Sequence, residues 1–362
     1  MFFTLIIAFL SLVCLMIIHE FGHFFVAKKF GVKVEEFGIG YPPRLFGKQF
    51  GDTLYSINLI PLGAFVRIYG EETGVDDYRS FSNLAVWKRI LICLGGVLVF
   101  WLASMVIFSV VYMIGVDIPV GDQDIAGVNT TAVRIVAVQK NSPADIAGLK
   151  IGDELIEVNK VADFQKFIQD SKGKNVTLQV RRNGNTMNVN IIPRVDYPAD
   201  QGPTGIALER MANIIQKSPW YQAIFYGVMY TGKITWQAMG GIYHTISSFF
   251  LGKGVPQEAQ FAGPIGITIF LSQAASLGAG FFLYFIGSLS VVLALFNILP
   301  IPALDGGKLL FLIIEGISKK PVSVRIEQTL TIIFFILLIT ASIFVTIKFD
   351  VPRAIEFWKA SL

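Results

Sequence analysis

Long apolar runs alternate along the chain with mixed polar stretches, and the apolar runs share a common size. Four stand out, at residues 2–27, 90–118, 281–304 and 330–347. Each is near the ~20 residues a helix needs to cross ~30 Å of hydrocarbon, so four transmembrane helices are the expected frame. The first run starts without Lys or Arg and ends at "FFVAKKF", so it reads as a retained span rather than a cleaved leader. The stretch "TLYSINLIPLGAFVRIYG" instead alternates as a strand does. It is too apolar for a water-exposed hairpin and is expected to be a membrane-embedded β element, its backbone satisfied by protein or by a wet cavity.

Residues 128–210 break the apolar pattern. They hold short β runs ("AVRIVAVQ", "GDELIEVN", "VTLQVRR", "MNVNIIP") and two helix patterns ("NSPADIAGL", "ADFQKFIQDS"), with Asn183-Gly184 marking a tight hairpin. A water-soluble α/β module is therefore expected between the second and third spans. Residues 218–251 are aromatic and mildly amphipathic and read as a helix on the outer membrane face, where Trp and Tyr concentrate; a fifth span is the competing reading. The expected fold class is a polytopic α-helical membrane protein with an embedded β element and an inserted α/β domain. Its parts are an N-terminal membrane half (1–118), the inserted domain (119–212), an outer-face segment (213–280) and a C-terminal membrane half (281–362).

Composition agrees with this frame. The 362 residues are 53% hydrophobic and 15% charged, with a mean hydropathy of +0.60; a soluble domain is about a quarter charged. Basic residues cluster in two connections: Lys28, Lys29, Lys33, Lys88 and Arg89 in one, Lys308, Lys319, Lys320 and Arg325 in the other. Positive charge marks cytoplasmic loops, so the inserted domain and both termini are expected outside. A net charge of +4 gives no reason to expect nucleic acid. Cys14 and Cys93 fall in predicted spans and read as small apolar packers.

The first span carries the chemistry. His19-Glu20-Phe21-Gly22-His23 places two imidazoles four residues apart, on one helix face, with a carboxylate beside the first. Such a pair can offer two nitrogens to one zinc ion, with Glu20 placed to take a proton from a water that the metal activates. An unpaired carboxylate at the bilayer centre costs roughly 2.5–3.5 kcal/mol, which weakens the reading as chance; a packing cluster or proton relay is the bland alternative. Catalytic zinc uses three protein ligands and one open position. His244, the third histidine, lies in the outer-face segment, across the membrane from the pair. Asp305 in "NILPIPALDGG" lies at matching depth, where Pro300 and Pro302 break the third span; a helix cap is the alternative role. The candidate site is then His19, His23 and Asp305 as ligands of one Zn2+, with Glu20 as base.

With both motifs in view, the chain resembles the site-2 protease family of intramembrane zinc metalloproteases, and its outer module makes it similar to the bacterial regulator-of-sigma-E protease branch. "EEFGIGYPPRLFG" and "SINLIPLGAFVRIYGEE" resemble that family's cytoplasmic loop and embedded β element, and "FAGPIGI" the segment before its third span. "SPADIAGLKIGDELIEVN" looks like a PDZ domain, of which one copy is visible where the sigma-E relative has two. The resemblance implies zinc on His19, His23 and Asp305, Glu20 as base, and Asn297 as a residue that holds substrate or stabilises the oxyanion. The chain departs from the pattern in the second span, where Val97 and Phe100 stand at positions expected to hold Pro and Asn.

The implied activity is hydrolysis of a peptide bond inside a single-span partner's transmembrane helix, as in regulated intramembrane proteolysis of anti-sigma factors or signal-peptide remnants. The implied setting is the bacterial inner membrane, with the site toward the cytoplasm and the PDZ-like domain outside, where it filters trimmed substrates or binds a peptide C-terminus. Strand-like "SINLIPLGAFV" is expected to pair with the extended substrate. A catalytically silent scaffold that works through its PDZ-like domain is the alternative, and Glu20 speaks against it. A transporter would carry ionisable residues in several spans, which the second and fourth lack at their centres.

Overall fold

The computed structural model describes residues 2–71, 75–122, 131–182, 184–197, 202–251 and 262–359. Asn183 of the expected hairpin and Phe261 of the "FAGPIGI" segment lie outside the described residues. The chain opens with α1 (Phe2–Lys29), whose last turn ends in Lys28 and Lys29, cations that suit a helix C-terminus. The strands β1 (Val34–Phe50) and β2 (Thr53–Ile68) follow, then α2 (Val86–Ile114). Among the described residues four helices are long and apolar enough to cross a membrane: Phe3–Lys29, Val86–Ile114, Ala279–Ile298 and Val324–Ile355.

Two of these end earlier than the apolar runs suggest, for local reasons. α2 stops at Gly115, whose φ of +74° turns the chain out of the helix, and Val116 begins a strand, β3 (Val116–Val120). The third span stops at Ile298 because Pro300 and Pro302 cannot continue it.

The β element between α1 and α2 is more folded than a plain hairpin. Residues 36–39 of β1 pair on one side with residues 64–67 of β2 and on the other with residues 54–57, while residues 46–50 pair back on 53–57. Two long bent strands thus make a four-segment sheet whose residues 64–67 form one outer edge. That edge lies along α1: a Cβ on Gly63 would fall 2.7 Å from Met16 Cε.

The inserted domain has a six-stranded sheet in the order β3-β8-β4-β5-β6-β7, where β4 is Thr131–Val138, β5 Glu154–Leu155, β6 Val176–Arg182, β7 Asn185–Ile191 and β8 Ile206–Ile215. A short α3 (Pro143–Ile146) and the longer α4 (Val161–Asp170) pack on it. Alternate residues Val133, Ile135, Val180, Val189 and Ile191 face Phe164 and Ile168 of α4 in a closed apolar core. The Asp122 carboxylate accepts from the Val161 and Ala162 N–H groups at 2.9 and 2.8 Å, capping α4 from a distant loop. β6 and β7 form the expected hairpin, Arg182 opposite Asn185.

β3 follows α2 directly, and β8 leads into α5 (Trp220–Phe250). α5 lies along α2, with the Phe108 and Tyr230 rings 4.9 Å apart and Thr231 Oγ1 3.3 Å from Ser104 Oγ. The chain returns through α6 (Pro264–Ser276), fastened to the start of α1 by Thr4 Oγ1 and Ser272 Oγ at 2.7 Å. It continues through α7 (Ala279–Ile298), α8 (Asp305–Ser318) and α9 (Val324–Val345). A single π-turn, Thr346–Asp350, joins α9 to α10 (Val351–Lys359). α1, α2, α6 and α7 share one apolar core around Leu15, Phe100, Leu271 and Ile286.

Candidate metal centre

α1 and α2 meet backbone to backbone. A Cβ on Gly22 would strike the Gly95 carbonyl, and one on Gly95 would fall 2.7 Å from Gly22 O. This close crossing, of the kind small residues permit, sets the next turn of α1 against α2. His19 and His23 are both buried there. His23 Nδ1 lies 2.8 Å from the Ile92 carbonyl, which orients that ring. The His19 ring stacks on Phe100, with centroids 4.7 Å apart and planes 19° apart. Gly96 sits beneath both rings, because a Cβ there would land on His23 Nε2 and 2.7 Å from His19 Nδ1.

The third contributor arrives from the broken end of the third span. Asp305 is the first residue of α8, where a carboxylate suits the positive end of the helix dipole. The two glycines after it follow from packing: a Cβ on Gly306 would strike the backbone of Ile298 and Leu299, and one on Gly307 the Ile301 carbonyl. Glycine at both positions lets the helix restart this tightly against the proline turn.

These elements bring three donor atoms together. His19 Nε2 and His23 Nε2 lie 3.2 and 3.3 Å from Asp305 Oδ2, and 3.3 Å from each other. Ligands at ~2.0–2.1 Å around a tetrahedral zinc would be about 3.3–3.4 Å apart, so the triangle matches one face of such a site. With its Nδ1 proton directed at the Ile92 carbonyl, a neutral His23 turns a bare Nε2 lone pair toward Asp305 Oδ2 at 3.3 Å, a repulsive contact that a shared cation relieves. Among the described residues His19, His23 and Asp305 are the group whose ligand atoms could hold a metal ion.

Glu20 stands next to the triangle. Its carboxylate interacts electrostatically with His19, His23 and Asp305 and faces the backbone of Val66 on the outer edge of the sheet. Along that edge runs a cleft of about 430 Å³, lined by Tyr41, Phe65, Val66, Arg67 and Glu71 among others. Asn297 lies near the end of α7. Its Nδ2 donates to the Leu293 carbonyl at 2.9 Å, one turn back on α7. His244 is exposed on α5.

Several residues that shape the site have no signature of their own. Gly96, Phe100 and the Ile92 carbonyl come from a helix that is apolar all round, and the Gly95-Gly96 pair was the one hint of a close crossing. Lys308, one turn after Asp305, pairs with Glu71 at 2.7 Å and ties α8 to the end of β2. Arg89 at the start of α2 makes a two-pronged pair with Glu315 of α8.

Comparison with known proteins adds a family. The model of peptidase family M50 matches residues 7–341. A protein of Clostridium perfringens that carries the name zinc metalloprotease is 31% identical over 349 residues, covering 95% of this chain and 97% of its own. One of Clostridium acetobutylicum with the same name is 31% identical over 362 residues, with 98% and 99% covered. The zinc metalloprotease RasP of Shouchella clausii is 27% identical over 421 residues, with 94% and 97% covered. The shared activity is a zinc-dependent peptidase, and the apolar helices make this one an integral membrane protein.

Proposed function

Because the chain belongs to peptidase family M50, we propose that it is an intramembrane endopeptidase in which His19, His23 and Asp305 hold zinc and Glu20 is the general base. Its substrates are the transmembrane segments of single-span proteins, such as anti-sigma factors or signal-peptide remnants. The observation that carries this reading is the triangle of donor atoms 3.2, 3.3 and 3.3 Å apart, beside a carboxylate that is not part of it. Bound zinc supplies a Lewis acid that polarises a peptide carbonyl and lowers the pKa of water to about 7.

The chain's own residues supply the rest. Glu20 removes a proton from the attacking water and returns it to the leaving amine, a role worth about 10²–10⁴ in rate. A substrate helix hides its carbonyls in i to i−4 hydrogen bonds and must unwind first. The unwound segment pairs with the outer edge at residues 64–67, which runs from the depth of Met16 past Glu20. Asn297 gives one Nδ2 proton to the Leu293 carbonyl, and its second amide N–H is the donor it can offer to an oxyanion. The inserted domain acts as a PDZ-like filter on the outer part of the substrate, and the membrane is the bacterial inner membrane with the metal centre toward the cytoplasm.

The test is co-expression with tagged single-span proteins. A chelator-sensitive fragment is expected with the intact enzyme. Glu20→Gln is expected to cut fragment yield by at least about 100-fold while zinc content holds. A Glu20→Gln enzyme that still cleaves at the original rate would overturn the assignment of the base.

A further inference from the structure

Metal-ligating histidines ordinarily donate their second ring N–H to a carbonyl, a carboxylate or water, which fixes the ring. His23 follows that rule through Ile92 O at 2.8 Å. His19 does not. Its Nδ1 is buried and has no hydrogen-bond partner among the described residues, so no described protein group fixes this ring through its second nitrogen.

Three contacts remain: the His23 ring meets it edge-on at 4.8 Å but belongs to the triangle itself, which leaves Gly96 and Phe100 outside the triangle. Gly96 lies under the ring edge, 2.6 Å from His19 Cε1 when a Cβ is built there, and so leaves room without fixing an angle. Phe100 covers the face, stacked at 4.7 Å and 19°. Phe100 is itself 2% exposed, and its carbonyl accepts from Ser290 Oγ at 2.7 Å, which locks that turn of α2 to α7. The phenyl ring is therefore a fixed plate, and an imidazole lying on it keeps one tilt.

We propose that Phe100 is the positioning residue of His19: its ring takes the place of the hydrogen bond a ligating histidine normally makes and directs Nε2 into the metal triangle. The proposal rests on the reading of His19, His23 and Asp305 as the zinc ligands. It also gives a purpose to the departure at this position, where the family pattern leads one to expect asparagine. An apolar plate orients the ring by shape alone.

The experiment measures zinc affinity of the full-length protein in detergent by competition with a chromophoric chelator. Phe100→Leu and the milder Phe100→Met remove the plate and keep the position apolar. Phe108→Leu is the control, a fully buried ring in the same helix that packs on Tyr230 instead. Loss of an orienting partner typically weakens metal affinity about 10–100-fold. The expected result is a loss of that size in the Phe100 variants, and affinity within about twofold of the parent in Phe108→Leu. Equal losses at both positions would reduce Phe100 to a packing residue and overturn the proposal, as would unchanged affinity in Phe100→Met. An intact protein that takes up no zinc at all would overturn the ligand assignment together with it.

Discussion

His23 Nε2 lies 3.3 Å from Asp305 Oδ2, although the two residues come from opposite ends of the chain. The contact exists because α1 crosses α2 at a glycine pair, and because α8 restarts on two glycines against the proline turn. The centre is therefore assembled by close backbone approach, and its weak points are glycines.

Gly96→Ala tests that dependence. A Cβ at this position would fall on His23 Nε2 and beside His19 Nδ1, both inside a packed core that resists shifts. The variant is expected to lose most of its zinc while keeping its helical circular dichroism. Full zinc content in Gly96→Ala would mean that the rings do not sit where the crossing places them.

The Arg89–Glu315 pair tests how α8 is held. The side chains are 12% and 17% exposed, so removing one charge strands the other. Breaking a fully buried pair costs about 3–5 kcal/mol, and the residual exposure here lowers that to roughly 2–3 kcal/mol. Glu315→Gln is expected to lower the unfolding temperature clearly, and Arg89→Met combined with Glu315→Leu to restore much of it. Equal destabilisation by the single and double changes would argue against the pair.

Substitutions in the sheet test the substrate path. Phe65→Asp, on the outer edge, and Ile60→Pro, in the stretch of β2 that leads to it, are expected to slow reporter cleavage without releasing zinc. Fragment yield and metal content read the two effects separately. Undiminished cleavage in both variants would remove the sheet edge from the mechanism.

Glu209 tests the inserted domain. It is half-buried on β8, and burial holds its carboxyl above the ordinary carboxylate range. A raised value in the folded state means that its contribution is fully present in acid and is lost as pH climbs through that value. Glu209→Gln is therefore expected to slow amide exchange of β8 in the full-length protein at pH 7 and to change nothing near pH 3. The same effect at both pH values would contradict the sign.

The sequence made parts of this arrangement legible and hid others. The histidine pair could be read because i and i+4 share a helix face, and Asp305 because a lone carboxylate ends an otherwise uncharged run beside two prolines. The four spans were legible from length and composition alone, although their ends at Gly115 and Ile298 depended on local backbone chemistry. The neighbours from α2 were not. A helix that is apolar on every side has no periodic signal to say which face meets the histidines, so Gly96 and Phe100 emerged only from the packing. The doubled pairing of residues 36–39 was hidden for a similar reason, since alternation marks a strand but not its partners.

The central claim is that both histidines and Asp305 grip one zinc ion. Zinc K-edge X-ray absorption of the purified protein, together with its zinc content before and after Asp305→Ala, tests it most directly. The account predicts a low-coordinate site with two imidazole nitrogens and at least one carboxylate oxygen, and a large loss of zinc in Asp305→Ala. Full zinc occupancy in Asp305→Ala, with an unchanged absorption spectrum, would contradict it.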